Sequence, residues 1–191
     1  MWKGFLAGLV VANGFEWIAH KYILHGVHQK GQERYSPIPE NMKSHWEHHR
    51  IVRKTAFYDH GYVEGLATVT AVFMPLFYPV SKGMSLAVLY SACNYYYIHR
   101  RAHLEPDWAK RKIPWHYDHH MNSNQDANWC VTKPWFDYIL ATRVISSADL
   151  QEQNPLGLKL PKPVSNMINT VVNRYRPAQW VQHRSDRVLK E

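Results

Sequence analysis

Several features that are common in other proteins are scarce in this sequence of 191 residues. Its two cysteines, Cys93 and Cys130, are too few for a disulfide framework, so we expect a reducing compartment and two packing residues. No signal peptide is evident, because no small-residue cleavage site follows the apolar start before Glu16. Charged residues make up 20% of the chain and apolar residues 46%, which excludes an intrinsically disordered polymer.

The sequence also lacks the motifs of several large enzyme classes. It has no G-x-S-x-G, no phosphate-binding glycine loop and no C-x-x-C zinc pair. The Glu-x-x-His pattern of soluble carboxylate di-iron bundles is missing too. His45-Trp-Glu-His48 is one residue shorter than the His-Glu-x-x-His signature of zinc proteases. These absences disfavour the corresponding chemistries.

Positive charge is in excess, because 23 Lys and Arg against 15 Asp and Glu give a net charge of +8. A basic surface suits nucleic-acid phosphates or anionic lipid headgroups. The 8 Trp and 12 Tyr suit both partners, as stacking platforms or as interfacial belts. Charge alone does not separate the two, but the apolar segments and the placement of the basic residues described next favour a membrane, and we expect no nucleic-acid partner.

Three apolar segments predict an all-α fold, namely Phe5–Leu24, Tyr62–Val80 and Met84–Ile98. The last two are separated by the short turn Ser81-Lys82-Gly83, which predicts a helical hairpin. The first segment has about the length of a membrane helix. Basic residues follow the first and third segments, which predicts that both polar regions face the cytoplasm. Buried helices of a soluble bundle are the alternative, because the mean hydropathy is only -0.45.

The length fits one metal-binding domain over residues 1–150, followed by a basic peripheral tail over residues 151–191. We expect a helix to start near Pro39 and Glu105–Pro114 to form a connection. The tail has amphipathic character around Val164–Val172, which is typical of a helix at an interface.

Ten of the thirteen histidines fall into four clusters with the order H-x4-H, H-x2-H-H, H-x3-H and H-x2-H-H. Since an α-helix turns about 100° per residue, the H-x3-H pair and each triplet point to one side. The residues of the H-x4-H pair lie about 140° apart, so we expect the helix to end or distort near His25, before Gly26.

Neutral imidazole binds zinc, iron, copper or nickel, and ten imidazoles exceed the capacity of one ion. A metal-sequestering tract is the alternative, but it predicts a low-complexity run. We therefore predict two metal ions with four or five nitrogens each, held by His20, His25, His45, His48, His49, His99, His103, His116, His119 and His120.

Other residues could orient the ligands. Glu16 lies four residues before His20 and could accept the second ring N–H of that ligand. Glu47 and Asp118 lie inside the triplets, where solvated helix charges are an equally good interpretation. Three histidines lie outside the clusters, namely His28, His60 and His183. We expect His28 to lie near the ligands. His60 is a weaker candidate for the same role, and His183 is incidental.

The order and spacing of these clusters resemble those of the membrane fatty acid hydroxylase and sterol desaturase superfamily, which has the carotenoid hydroxylases as relatives. The resemblance covers about Gly14–Thr142 and includes Glu16–Lys21 and the four clusters. It also includes Asn128–Asp137, which looks like the segment after the family's last triplet. Cys130 stands where the family often has glycine.

The resemblance implies membrane-associated helical hairpins under a cytosolic helical cap that holds two iron ions, with zinc in their place in some preparations. The ten cluster histidines would be the ligands and Asn128 a neighbour of the site. It implies oxygen-dependent hydroxylation or desaturation of a lipid such as a fatty acyl chain or a sterol. Because no haem-bearing domain is evident, we expect a separate electron-donor protein. A carotenoid-type ring hydroxylase, and a zinc hydrolase or non-redox metal-binding protein, are the alternatives.

Overall fold

Helices dominate the structure, a computed structural model that describes residues 1–28, 33–56 and 61–181. The helices are α1 (Trp2–Ile18), which continues as a π-helical turn (Ala19–Leu24), α2 (Pro39–Val52), α3 (Gly61–Phe77), α4 (Lys82–Leu104), α5 (Pro106–Lys112), α6 (Pro114–Met121), α7 (Trp135–Ile139) and α8 (Lys162–Tyr175). A 3-10 turn (Ala148–Leu150) and two short parallel strands, β1 (Val144–Ile145) and β2 (Gln179–Trp180), complete the described elements. The predicted helical class is therefore confirmed.

The helices α1, α3 and α4 pack side by side. The helices α1 and α4 run in the same direction, because Gly83 at the start of α4 lies against the backbone of Met1 and Gly8 lies beside Ala87. A Cβ at Gly8 would lie 2.6 Å from the Cβ of Ala87, so glycine permits this close approach. The predicted hairpin is confirmed, since α3 ends four residues before Ser81, whose side chain caps α4.

No helix in the described part of the chain has both the length and the apolar character that crossing a membrane requires.

Short helices form a cap at the end of α4. The helices α2, α5 and α6 each begin with a proline, whose fixed φ suits the first helical position. The start of α2 at Pro39 confirms the expected helix, while the stretch from Glu105 to Pro114 contains α5 rather than a simple connection. The described segment that follows residue 150 is anchored at its start, because Glu152 is buried and pairs with Arg143.

Candidate metal centre

The π-helical turn brings the first histidine pair together. The backbone N–H of His25 donates to the carbonyl of His20 over 2.9 Å, an i to i+5 bond in place of the usual i to i+4 bond. The wider turn places residues five apart on the same side, so both rings face inward. The chain leaves this turn at Gly26, which has a φ of +72°. The expected distortion near His25 is confirmed, and it takes the form of a π-helix.

Nine of the predicted ligands form two buried groups, and in each group the candidate ligand atoms lie within 4.8 Å of one another. The five-histidine group consists of His20, His25, His45, His49 and His119. The four-histidine group consists of His48, His99, His103 and His120. The described residues thus include two buried sets of imidazoles that are positioned to hold metal ions.

Each triplet is divided between the groups. His45 and His49 belong to the five-histidine group, while His48 belongs to the four-histidine group. In α6, His119 and His120 are divided in the same way. Adjacent residues on a helix differ by about 100° in direction, so one helix can serve two neighbouring sites. The triplets therefore hold the two groups beside each other.

The tenth histidine, His116, lies next to the four-histidine group. Its ring centre is 4.7 Å from that of His120, 5.2 Å from His99 and 5.3 Å from His103. Both of its ring nitrogens, like both of those of His120, are buried without a hydrogen-bond partner in the described part of the chain. A buried nitrogen without a partner costs about 1–3 kcal/mol, which a metal ion would offset.

The contacts among ring nitrogens fit metal coordination better than hydrogen bonding. The Nε2 of His45 lies 3.0 Å from that of His20 and 3.1 Å from that of His49. The Nε2 of His25 lies 3.2 Å from that of His49 and 3.1 Å from that of His119. A neutral Nε2 carries one hydrogen or one lone pair, so it cannot pair with two others. Two nitrogens at right angles, each about 2.1 Å from one ion, would lie about 3.0 Å apart.

Two backbone carbonyls fix the protonation of ligands in the five-histidine group. The Nδ1 of His20 lies 2.6 Å from the carbonyl oxygen of Trp129, and the Nδ1 of His119 lies 2.6 Å from that of Ala127. Because a carbonyl oxygen only accepts, each Nδ1 carries the hydrogen and donates. Each Nε2 therefore presents its lone pair to the centre of the group, which is the arrangement that a metal ligand needs.

The loop that carries these carbonyls is held by buried carboxylates. Asp137 accepts hydrogen bonds from the backbone N–H of Trp129 at 2.8 Å and of Cys130 at 2.9 Å. Burial raises the pKa of the Asp137 carboxyl, although these N–H donors partly offset the effect. The carboxylate of Glu16 accepts from the backbone N–H groups of Val131 and Thr132. Both carboxylates therefore set the position of the loop, and through it the ligands.

Glu16 and Asn128 both lie beside the histidine groups, but Glu16 does not make the hydrogen bond that the sequence suggested. Glu16 receives no ring N–H from His20, because the carbonyl of Trp129 takes that hydrogen bond. The side chain of Asn128 bonds the backbone of Val144 on both of its polar atoms. Asn128 itself has a φ of +59°, and the carbonyls on either side of this turn point at ligands.

A buried ion network lies behind α6. Arg143 donates to Glu152 over 2.6 Å and lies 3.6 Å from Asp118. Asp118 also accepts from the backbone N–H and the hydroxyl of Ser146. Asp118 is therefore not a solvated helix charge, whereas Glu47 is exposed and pairs with Arg50. Sequence reasoning missed Arg143 and Glu152, since neither lies near a histidine cluster.

Of the three histidines outside the clusters, the structure describes His28. His28 is exposed and lies in neither group. The other two fall outside the described residues, namely His60 and His183. Gln125, which the sequence did not suggest, lies with its amide 2.9 Å from the Nδ1 of His49.

Burial keeps the cluster imidazoles neutral. It lowers the pKa of His103 and His120 well below the usual range, and the neighbouring histidines lower it further. The same two causes act on His45, His49 and His116. Neutral imidazole is the form that binds metal ions, so the site favours ligation even before an ion binds.

An apolar cavity of about 650 Å³ ends at the five-histidine group. Side chains of α1, α3 and α4 line most of it, including Val11, Phe73 and Val88. His20 and His45 form part of its wall. Met84 and Tyr95 line it on α4, which corresponds to a length of about 16 Å along the helix. The volume lies in the range of cavities that bind small molecules.

Comparisons of the chain with protein-family models, with curated proteins and with solved structures found no match.

Proposed function

We propose that this protein is a membrane-associated di-iron oxygenase that hydroxylates or desaturates an unactivated C–H bond of a lipid chain. The observation that carries the proposal is the apolar cavity that ends at His20 and His45. It joins a space suited to a long apolar molecule to a set of imidazoles suited to a metal ion. The resemblance of the ordered clusters to the fatty acid hydroxylase and sterol desaturase superfamily adds the reaction class.

When bound, two iron ions would supply the redox chemistry, which uses O₂, two electrons from a separate donor protein and two protons: hydroxylation puts one oxygen atom into the C–H bond and releases one water, whereas desaturation removes two hydrogen atoms from the lipid and releases two waters. The chain contributes the environment. The ten cluster histidines are all nearly or fully buried, which keeps water away from the reacting centre. The carbonyls of Ala127 and Trp129 orient two ligands, and the cavity holds the substrate in place.

The charge distribution of the cavity supports an apolar substrate. Among the described residues that line the cavity, Glu16 is the single carboxylate, and it already accepts hydrogen bonds from the backbone N–H groups of Val131 and Thr132. A zinc hydrolase would have to bind the polar ester or amide group of its substrate together with a water molecule, and this mainly apolar cavity offers few polar partners for them. Asn41 and Ser44 provide a few polar atoms near the histidines, where the oxidised carbon would lie.

The exposed surface of the long helices supports the proposed association with a membrane. Large apolar side chains on α1, α3 and α4 are exposed, among them Leu6, Val10, Val72, Leu76 and Leu86. A large exposed apolar surface of this kind marks a contact with a partner or a membrane. We infer that these helices are embedded in lipid, with the metal centre on the cytoplasmic side where the basic residues lie.

The test is product analysis after expression in a lipid-producing host under ¹⁸O₂. A hydroxylase incorporates one labelled oxygen into the lipid, and a desaturase introduces a double bond. We expect His48→Ala and His119→Ala to abolish both products, while His28→Ala serves as the exposed matched control. A hydroxylated lipid without the ¹⁸O label, or unchanged product in both histidine variants, would refute the proposal. Product analysis in a carotenoid-producing host distinguishes the proposed function from that of a carotenoid-type ring hydroxylase, which would hydroxylate the carotenoid.

A second experiment tests the cavity as the substrate site. Gly65 lines the cavity, and a Cβ at this position would have no atom within 4 Å, so Gly65→Leu adds volume without a clash. We expect this variant to shift the preferred substrate toward shorter or thinner chains. Ala67→Leu, two residues along the same helix and outside the cavity lining, is the matched control. Equal product profiles for the two variants would place the substrate elsewhere.

A further inference from the structure

The helix α8 has an exposed apolar ridge. At about 100° per residue, Val164, Met167, Val171 and Tyr175 fall within one narrow stripe. These side chains face solvent, and Met167 and Tyr175 are 63% and 69% exposed. Four apolar side chains in one exposed row are unusual on a helix that simply covers a core.

The opposite side of α8 is fixed to the protein. Asn154 donates to the hydroxyl of the buried Ser165 over 3.2 Å, and Asn169 donates to the carbonyl of Gln153 over 3.0 Å. These bonds hold the helix with its ridge outward. The ridge therefore cannot turn inward to bury itself without breaking both contacts.

The charged residues on α8 are all cations. The helix contains no acidic residue, and its exposed cations are Lys162 at its start and Arg174 near its end. At about 100° per residue Arg174 lies beside Met167 of the ridge, whereas Lys162 lies on the side away from the ridge, at the end of the helix. Lys159 and Arg176 extend this basic surface beyond both ends. An apolar ridge on a helix with cations at both ends complements a bilayer surface with anionic headgroups.

Hydrogen bonds connect the base of α8 to the apolar helices. The ammonium group of Lys133 donates to the carbonyl of Gly157 over 2.7 Å, shortly before α8 begins. The side chain of Asn13 in α1 donates to the carbonyl of Lys133 over 2.9 Å. The ridge is therefore tied to the side of α1, whose exposed apolar residues carry the proposed lipid contact.

We propose that α8 is an interfacial helix that inserts Val164, Met167, Val171 and Tyr175 into an anionic bilayer. The cations at its ends then face lipid phosphates. The inference rests on the membrane association proposed above and adds a second, lateral contact with lipid. This contact would fix the tilt of the cap, and with it the height of the metal centre above the bilayer.

The test uses the full chain with environment-sensitive nitrobenzoxadiazole probes on single cysteines. Cys93→Ser removes the exposed native thiol, while Cys130 is buried and stays unlabelled. Probes are attached at three positions. Met167→Cys lies on the ridge, Asn173→Cys is exposed in the last turn of α8 and points away from the ridge, and Val72→Cys lies on α3. The vesicles contain phosphatidylcholine and phosphatidylserine, and iodide is the aqueous quencher.

We expect a blue-shifted emission and a several-fold lower iodide quenching at position 167 than at position 173. Lys162→Glu with Arg174→Glu should abolish the protection at position 167 and leave position 72 protected. Equal quenching at positions 167 and 173, with position 72 protected, overturns the inference but leaves the membrane association standing. Full quenching at position 72 contradicts the membrane association itself. Protection at position 167 without vesicles would mean that a second protein copy covers the ridge, which also overturns the inference.

Discussion

The two histidine groups lie side by side, yet the chain organises them by different means. In the five-histidine group, the carbonyls of Ala127 and Trp129 accept hydrogen bonds from ring nitrogens and thereby fix which nitrogen faces the centre. The ring of His120 in the four-histidine group, and that of His116 next to it, have no such partner in the described part of the chain. The helices that carry them pack on an apolar cluster that includes Ala102, Ala109, Ile113 and Trp115.

This difference teaches that two adjacent histidine groups can be held in place by different means, one by hydrogen bonds and the other by helix packing. A directional hydrogen bond selects the tautomer as well as the ring position. Packing selects the position alone. We expect the five-histidine group to depend on its loop and the four-histidine group to depend on the stability of α4 and α6.

The largest effect should come from removing one ligand from each group in turn. His119→Ala and His103→Ala should each lower the metal affinity of one site by more than about 100-fold and leave the other site occupied. The loss of a ligand should exceed the loss of a group that only hydrogen-bonds to a ligand, which costs about 10–100-fold. Metal analysis after dialysis should then give about one ion per chain in place of about two. His28→Ala should retain both ions. Loss of both ions in each variant would show that the groups bind metal as one unit.

Breaking the buried ion network should destabilise the chain and weaken both groups together. In Arg143→Met the carboxylates of Asp118 and Glu152 stay buried without their cation, which costs about 3–5 kcal/mol of unfolding free energy. Denaturant unfolding of the wild type and the variant measures this loss. Lys110→Met, which removes an exposed ion pair with Asp149, is the control and should not change the unfolding midpoint. An unchanged midpoint in Arg143→Met would contradict the structural role of the network.

A weaker and selective effect is expected from the loop. Asp137→Asn keeps the shape of the side chain but replaces one acceptor with a donor, so one of the two backbone N–H groups loses its partner. We expect the affinity of the five-histidine group to fall about 10–100-fold, while the four-histidine group is unchanged. Competition with a chromophoric chelator measures both sites. Asp126→Asn, an exposed carboxylate on the same loop paired with Arg34, should leave both affinities as they are. An equal fall at both sites would rule out a selective role for the loop.

The smallest effect on stability is expected from a comparison of two carboxylates that occupy the same position in the two histidine triplets. Glu47 and Asp118 each directly precede the second histidine, yet Glu47 is exposed and Asp118 is fully buried. Asp118→Asn should lower the unfolding free energy by about 1–3 kcal/mol, because it weakens charged bonds to Ser146 and Arg143. Glu47→Gln should change neither stability nor metal content. Similar effects in both variants would mean that burial does not distinguish the two positions.

Much of the site could be predicted from helix geometry. The spacing of His99 and His103, and of each triplet, already places these rings on one side of a helix. The count of ten imidazoles indicated two ions, and the structure divides nine of them into sets of five and four. The hairpin and the start of α2 were also predictable, since Ser81 and Pro39 are local helix-start signals.

The parts that could not be predicted depend on contacts between distant residues. Backbone carbonyls carry no sequence signal, so the role of Ala127 and Trp129 was invisible, and Glu16 was assigned to His20 instead of to the loop. Arg143 reaches Asp118 only after the chain folds back behind α6.

The sequence by itself determined that this protein is helical and that its imidazoles converge, because helical period is a local property of the chain. The tertiary structure alone decided which histidine joins which group, which carboxylates are buried, and where the apolar cavity meets the ligands. Those outcomes depend on how α1, α4 and α6 approach one another, and that approach is set by packing and hydrogen bonds between residues far apart in the chain.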